Sequence, residues 1–314
     1  MLKFDKLKIV GRVECIQILD ASQFHETYRE GVLSSLRYQQ QKPFSLSIEI
    51  NYFSKEVVVE FTGKILGEQY PKLICSDTIQ ECFERISALG ICQFDVEAMM
   101  DADVVSCDVT QDVRMGDYEE MVKYINRNIS NYQTYNCKLA RTGSLTIEKN
   151  VVTSRNKKRM IIYDKGREMN TANNHEFVSN NGLQGKYDGI CRFELNLKSK
   201  EQIRQSLQIT DTSLRSVLSS TANPIADFLE DVIADEPERS LSQDGWKDYL
   251  RSLVLDNCGY DLGRVEAKVR QYKSSKTTSI SKIMVPYREL LSRLKNDTPS
   301  ISKDGIISRL NVSN

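Results

Sequence analysis

Cys107-Asp108-Val109-Thr110-Gln111-Asp112-Val113 sets two carboxylates four residues apart in an apolar, β-branched run. The run reads as a short buried strand. Side chains alternate along a strand, so 108, 110 and 112 share one face. Taken alone, the pattern also fits a strand end followed by a turn Asp, or by the cap of a helix that begins near Asp117. A later stretch, Cys191-Arg192-Phe193-Glu194-Leu195-Asn196-Leu197, alternates in the same way. Arg192 and Glu194 lie on one of its faces, and Phe193, Leu195 and Leu197 on the other. Side by side in one sheet, the two strands bring Asp108, Asp112 and Glu194 together. Three carboxylates without fixed partners repel one another and hold protons, which a hard divalent cation relieves.

Outward from these strands, alternation predicts strands within 2–18, at 44–51 and at 56–61, the last two joined as a hairpin through Tyr52-Phe53-Ser54-Lys55. Further strands are expected at 132–139, 144–147 and 159–163. Residues 21–41 are polar and read as a helix or a mobile loop. Helical spacing marks 77–89, ending at Gly90, and 117–129. The glycines of Phe61-Thr62-Gly63-Lys64-Ile65-Leu66-Gly67 imply tight backbone geometry, but the spacing is not that of a phosphate-binding Walker loop. The Asn- and Gly-rich 171–188 reads as an exposed loop. After Lys198 strand patterns vanish and helices follow at about 200–208, 211–220, 224–234, 243–257, 261–272 and 284–295. The expected fold class is α+β. A largely antiparallel sheet with flanking helices occupies 1–199, and a helical accessory domain occupies 200–314.

The 314-residue chain has no formal net charge, which argues against a uniformly basic nucleic-acid binder and turns attention to local patches. None of its eight cysteines forms a CxxC pair, and several sit in apolar patterns, so free thiols and a reducing compartment are expected. No signal-peptide core and no apolar run of about 20 residues is present, so the expectation is a cytoplasmic protein that does not enter a membrane. The two histidines, His25 and His175, stand far apart and exclude an HxH or HExxH metal site within the chain.

Basic residues concentrate between Arg141 and Arg167, with Arg155, Lys157, Lys158 and Arg159 beside Ser154 and Asn156. Such a loop suits phosphate-backbone contact, and equally a solvated hairpin tip. Next comes Met160-Ile161-Ile162-Tyr163-Asp164-Lys165, where alternation puts Tyr163 and Lys165 on one strand face. A phenol beside a cation is what a transesterifying nucleophile requires, although a tyrosine with its ring in the core fits as well.

Asp108-Val109-Thr110-Gln111-Asp112, the stretch from Ser154 through Arg159 and Tyr163-Asp164-Lys165-Gly166-Arg167-Glu168-Met169, and Arg192-Phe193-Glu194-Leu195 resemble three motifs of one family. It is the replication initiation factor family, which includes rolling-circle plasmid initiators, filamentous-phage gene II/X proteins and related relaxases. The central stretch is most similar to the gene II/X branch, and the resemblance covers roughly 1–200. It implies a metal-dependent DNA nickase in which a tyrosine hydroxyl attacks one phosphodiester at a replication origin and stays on the 5′ phosphate. On this resemblance Asp108, Asp112 and Glu194 are ligands or close supports of Mg²⁺ or Mn²⁺. Tyr163 is a candidate nucleophile, Lys165 and Arg192 steady the phosphate, and Arg155, Lys157, Lys158 and Arg159 hold the DNA.

The sequence departs from the family where a tyrosine usually precedes the basic loop, since Val151 or Thr146 occupies that place. Tyr163, Tyr132 or Tyr135 would then serve, or the chain is a non-catalytic DNA-binding protein of the same ancestry. The paired histidines of the wider superfamily are also missing. Partners implied are single-stranded or origin DNA, with a second copy of the chain and a host helicase as further ones. The helical region, including the amphipathic start Asp244-Gly245-Trp246-Lys247-Asp248-Tyr249 and the basic Lys268, Arg270, Lys273 and Lys276, fits origin recognition or dimerisation.

Overall fold

Strict alternation in the central strands gives the sheet two unlike faces, and each is covered differently. The computed structural model describes residues 1–129, 134–150, 158–233, 245–258, 261–273, 279–296 and 301–312. In chain order the first part contains β1 (Phe4–Arg12), β2 (Ile16–Ile18), β3 (His25–Arg29), β4 (Val32–Gln40), β5 (Leu46–Asn51) and β6 (Glu56–Thr62). A 3-10 segment, Gly63–Lys72, leads to α1 (Ile79–Ser87), β7 (Cys92–Phe94), α2 (Val96–Met100), β8 (Asp103–Arg114) and α3 (Tyr118–Arg127). There follow β9 (Tyr135–Leu139), β10 (Leu145–Lys149), β11 (Arg159–Asp164), α4 (Lys165–Met169), α5 (Ala172–Asn180) and β12 (Ile190–Leu197). The remaining elements are helical: α6 (Lys200–Leu207), α7 (Leu214–Ser219), α8 (Pro224–Val232), α9 (Gly245–Asn257), α10 (Leu262–Tyr272), α11 (Ile280–Asn296) and α12 (Lys303–Val312).

Ten strands form one antiparallel sheet in the order β3-β4-β5-β6-β1-β8-β12-β11-β10-β9, and β2 pairs with β7 separately. The α+β class and the antiparallel sheet are therefore as the sequence implies. The apolar face carries Leu7 and Ile9, Val57, Val59 and Phe61, Cys107 and Val109, Phe193, Leu195 and Leu197, and Met160 and Ile162, all buried. Helices close over it. Phe83 of α1 meets Phe61 edge-on, and the Gln111 amide donates to the Leu310 carbonyl of α12. Phe228 of α8 packs against the Tyr135 ring.

The chain divides into two compact units, Met1–Ala234 with Lys303–Asn314, and Asp235–Ser302. The division thus falls later than residue 200, because α6, α7 and α8 belong to the sheet unit. In the second unit α9, α10 and α11 enclose Leu255, Cys258, Val265, Met284, Leu290 and Leu291.

Two segments differ from the sequence reading. Residues 25–40 form the β3–β4 hairpin rather than a helix or loop. β3 is exposed throughout and β4 buries only Leu36, so little apolar alternation marks the pair as strands. Within the Asn-rich 171–188, α5 forms because Phe177 and Val178 dock into a small apolar cluster with Tyr70, Leu73, Met169, Leu183 and Tyr187. All eight cysteines are free thiols, seven of them buried. Among the described residues no helix is long and apolar enough to cross a membrane.

Candidate active site on the polar sheet face

The register of β8 and β12 determines which polar side chains meet. Arg192 stands opposite Asp112, Glu194 opposite Thr110, and Asn196 opposite Asp108. On the far side of β12, Tyr163 of β11 stands opposite Arg192. On the far side of β8, β1 breaks register between Phe4 and Lys6. The irregularity re-aims a side chain, as β-bulges do. Phe4 stays in the core, while Asp5 reaches Arg192 and Lys6 pairs with Glu60. The three sequence motifs thus adjoin one another, joined by two residues that the sequence did not single out, Asp5 and Tyr70.

Arg192 is the hub and is wholly buried. Its Nε and Nη2 donate to the two oxygens of Asp112 at 2.6 and 2.7 Å, a bidentate fork. Its Nη1 donates to Asp5 Oδ1 at 3.0 Å and to Tyr70 Oη at 2.8 Å. Tyr70 Oη in turn donates to Asp5 Oδ1 at 2.8 Å and accepts from Lys165 Nζ at 3.0 Å. Lys165 also binds Glu168 at 2.8 Å, and Asn174 links Glu168 to Lys64. Strand β11 stops at Asp164, whose side chain caps α4 by accepting from the Arg167 amide. Lys165 is therefore the first residue of a helix and not a strand neighbour of Tyr163, yet its Nζ lies 5.5 Å from the Tyr163 ring centre.

The second feature is a close acid–phenol pair. Tyr163 Oη donates to Glu194 Oε1 at 2.5 Å. Burial, and then the nearby Asp5 charge, push the Glu194 carboxyl up to about 7, against the opposing pull of Arg192, Tyr163 and Lys165. Burial and the Glu194 charge raise the Tyr163 phenol far above its ordinary value, with Arg192 opposing. Asp108 is raised by burial despite its hydrogen bond from Asn196 at 2.8 Å, and the Asp5 charge adds to the rise. Burial also acts to raise Asp5, but the charges of Arg192 and Lys165 outweigh it and leave that carboxyl below its usual range.

The residues expected as metal ligands do not share one site in this arrangement. Asp108 and Asp112 are separated by four steps of a strand, ~13 Å. Two aspartate side chains with metal–oxygen bonds of about 2.1 Å cannot close that span on one Mg²⁺. Asp112 has also committed both oxygens to Arg192. Among the described residues no three His, Cys, Asp or Glu side chains are grouped so as to hold an ion.

Arg155 and Lys157 lie outside the described residues, as does Tyr132. Lys158 is half-buried, and burial and the Lys149 charge lower its amine against the carboxylates of Asp231 and Asp227. Arg159 lies four residues before Tyr163 on the same strand and pairs with Glu148 at 3.4 Å. Tyr135 packs its ring edge-on against Phe228, away from the acid cluster.

A sequence signal for Asp5 exists in hindsight, since it is the one acid in the lysine-studded Lys3-Phe4-Asp5-Lys6-Leu7-Lys8. For Tyr70 the signal is the glycine-rich segment that carries it. Gly67 there adopts φ 58°, and a Cβ would lie 2.7 Å from Asn181 Oδ1. Compared with protein-family models, with curated proteins and with solved structures, the chain finds no match.

Proposed function

We propose that the sheet unit is a DNA strand-nicking and strand-transfer domain of the rolling-circle replication-initiation type, with Tyr163 as nucleophile. The observation that carries this reading is the Tyr163–Glu194 hydrogen bond, with Arg192 and Lys165 close by. A hydroxyl nucleophile in hydrogen-bond contact with a carboxylate that titrates near neutrality is the geometry of an activated nucleophile and its general base. The meeting of the three motif stretches on adjacent strands gives the family resemblance further support.

In the step proposed, Glu194 takes the Tyr163 Oη proton as Oη bonds to phosphorus. The P–O3′ bond breaks, and the leaving 3′ oxygen takes a proton from water. The products are a 5′-phosphotyrosine and a free 3′ hydroxyl. Attack by a 3′ hydroxyl on the phosphotyrosine reverses the step, because the phosphoester bond is kept in the adduct. Arg192, held in place by Asp112, Asp5 and Tyr70, opposes the burial and the Glu194 charge that keep Tyr163 protonated, so the phenol gives up its proton only as Oη bonds to phosphorus. Since the implied ligand trio does not fit a single ion, no step is routed through a metal.

One observation favours a non-catalytic DNA-binding protein of the same ancestry. Arg192 and Lys165 are both buried and fully engaged with protein groups, as in a structural clamp. A single experiment separates the two readings. The full chain is incubated with single-stranded oligonucleotides and Mg²⁺ or Mn²⁺, run on a denaturing gel and mapped by peptide mass. An adduct on Tyr163, absent in Tyr163→Phe, supports the nickase. DNA binding with neither adduct nor nick on any strand supports the alternative.

A further inference from the structure

We propose that residues 68–72 form a hinged plug, and that the place its Tyr70 hydroxyl leaves on opening receives the 3′ hydroxyl of a DNA strand. The choice of DNA rests on the strand-nicking reading above, while the plug rests on its own observations. The 3-10 segment Gly63–Lys72 is two turns joined at a kink. In the first turn Ile65 and Leu66 are buried, and Arg85 of α1 donates to the Ile65 carbonyl at 3.4 Å. Beyond the second turn, Ile74 exchanges two backbone hydrogen bonds with Phe4 of β1. Between these fixed ends Glu68 and Lys72 are exposed, Gln69 and Pro71 are half-buried, and Tyr70 alone is buried. A residue with positive φ stands on either side of the second turn. Gly67 adopts φ 58° and ψ −117°, and Leu73 adopts φ 59° and ψ 177°. The Leu73 conformation is essentially reserved for glycine, so a leucine there is strained, and such strain persists at clamps and switches. Leu73 is held in it by its buried side chain and by Thr78, which donates to its carbonyl at 2.7 Å. A short turn bound chiefly through one side chain and flanked by two such residues can lift as a unit while its ends stay in place.

The partners of the plug determine what can replace it. Tyr70 Oη accepts from Arg192 Nη1 at 2.8 Å and from Lys165 Nζ at 3.0 Å, and donates to Asp5 Oδ1 at 2.8 Å. Two bonds accepted and one donated are the full capacity of a hydroxyl. A phosphate diester has no hydrogen for Asp5, and it would add negative charge where Asp5, Asp112 and Glu168 already face the two cations. The 3′ hydroxyl that nicking releases is neutral and satisfies all three partners. When Tyr70 leaves, Arg192 keeps Asp112 and Asp5, and Lys165 keeps Glu168, so both cations remain in position. Tyr187, whose ring centre lies 6.0 Å from that of Tyr70, has a buried hydroxyl with no hydrogen-bond partner among the described residues. It is an unspent donor beside the plug, available to an entering strand.

The full chain is titrated with oligothymidylates that carry fluorescein at the 5′ end and finish in a 3′ hydroxyl, a 3′ hydrogen or a 3′ phosphate, with anisotropy as the readout. The hydroxyl-ended oligomer should bind roughly threefold or more tighter than the other two. In Tyr70→Phe the closed turn loses three hydrogen bonds and opens more often, so the hydroxyl-ended oligomer should bind roughly three- to tenfold tighter than it binds the wild type. A Tyr70 that only braces the fold would give unchanged or weaker binding. Hydrogen-exchange mass spectrometry should show 67–73 exchanging ahead of β8 and β12 in the wild type, and roughly tenfold faster again in Tyr70→Phe. Thermal melting checks that the variant is folded, and both wild-type measurements stand without it. Equal binding of the three ends, no binding of any of them, no gain in Tyr70→Phe, or exchange of 67–73 only together with β8 and β12 would overturn the proposal. The two readings fail distinguishably. Preference for the hydroxyl end without a Tyr163 adduct refutes the nickase alone, and an adduct without end preference refutes this site alone.

Discussion

Asp112→Ala should unfold the sheet unit at a clearly lower temperature than Asp108→Ala, with no divalent cation present. In Asp112→Ala the wholly buried Arg192 loses two charge-assisted hydrogen bonds of 2.6 and 2.7 Å and keeps only Asp5 and Tyr70 on Nη1. Breaking a buried ion pair by removing one partner costs about 3–5 kcal/mol, and the surviving contacts put this case at the low end, about 3 kcal/mol. In Asp108→Ala a single hydrogen bond from Asn196 is lost, a cost of about 1 kcal/mol. That cost is offset in part, because burial and the Asp5 charge already disfavour ionised Asp108. The difference of about 2 kcal/mol corresponds to about 4–8 °C in Tm for a unit of this size.

The assay is far-UV circular dichroism on heating in EDTA. Tryptophan fluorescence is unsuitable, since the sole tryptophan lies in the helical unit. If Asp112 were instead a metal ligand without a structural partner, Asp112→Ala would melt like the wild type in EDTA, and only the wild type would gain stability from Mg²⁺. Equal melting of the two variants, or a cost below about 1 kcal/mol for Asp112→Ala, would refute the clamp.

Three further outcomes are expected. Adduct formation should rise with pH through a midpoint near 7, because only ionised Glu194 can accept the Tyr163 proton among the charges of Asp5, Arg192 and Lys165; Glu194→Gln should remove that titration and lower the rate by roughly 10²-fold or more, read by single-turnover gel assay. The same shift has a stability consequence: folded Glu194 binds its proton more tightly than the unfolded chain does, so its contribution is present below about 4.5 and is lost as pH rises through about 7, and denaturant titrations of Glu194→Gln should lack this decline. Gly166→Ala should destabilise the sheet unit by about 1–3 kcal/mol in denaturant titration, because its Cβ would lie 2.9 Å from the Tyr187 backbone oxygen and push α4 away from the sheet.

The strands at the centre of the site were legible because each carries its own alternation. Phe193, Leu195 and Leu197 turn to the helices, and Arg192, Glu194 and Asn196 turn away from them, whatever their neighbours are. Register was not legible, since nothing in either strand says that Arg192 stands opposite Asp112 rather than Thr110. That one fact moves Asp112 from the expected metal site into a clamp. Asp5 was hidden because a bulge, not alternation, aims it. Tyr70 was hidden because its role depends on a 3-10 segment folding back over the polar face. The β3–β4 hairpin was hidden because β3 is exposed throughout and Leu36 is the one buried side chain of β4, too little for a periodic apolar face.

The polar face therefore separates two jobs that the sequence runs together. One set of groups is mutually satisfied: Asp112 and Asp5 with Arg192, Arg192 and Lys165 on Tyr70, and Lys165 with Glu168. Burying two cations costs far more than it returns unless each is paired, and each is. This set can lock β1, β8, β12, α4 and the 3-10 segment together and has no reason to exchange protons. The other set is left in excess. After Arg192 and Lys165 are matched, Glu194 keeps a carboxyl whose ionisation burial opposes, and its hydrogen bond to Tyr163 is the outlet for that excess. A cluster that served stability alone would gain by replacing Glu194 with glutamine, which keeps an acceptor for the phenol and removes the desolvated charge. Glutamate at 194 is a cost to the fold at neutral pH, and the strand-nicking proposal gives that cost a use, as base for Tyr163.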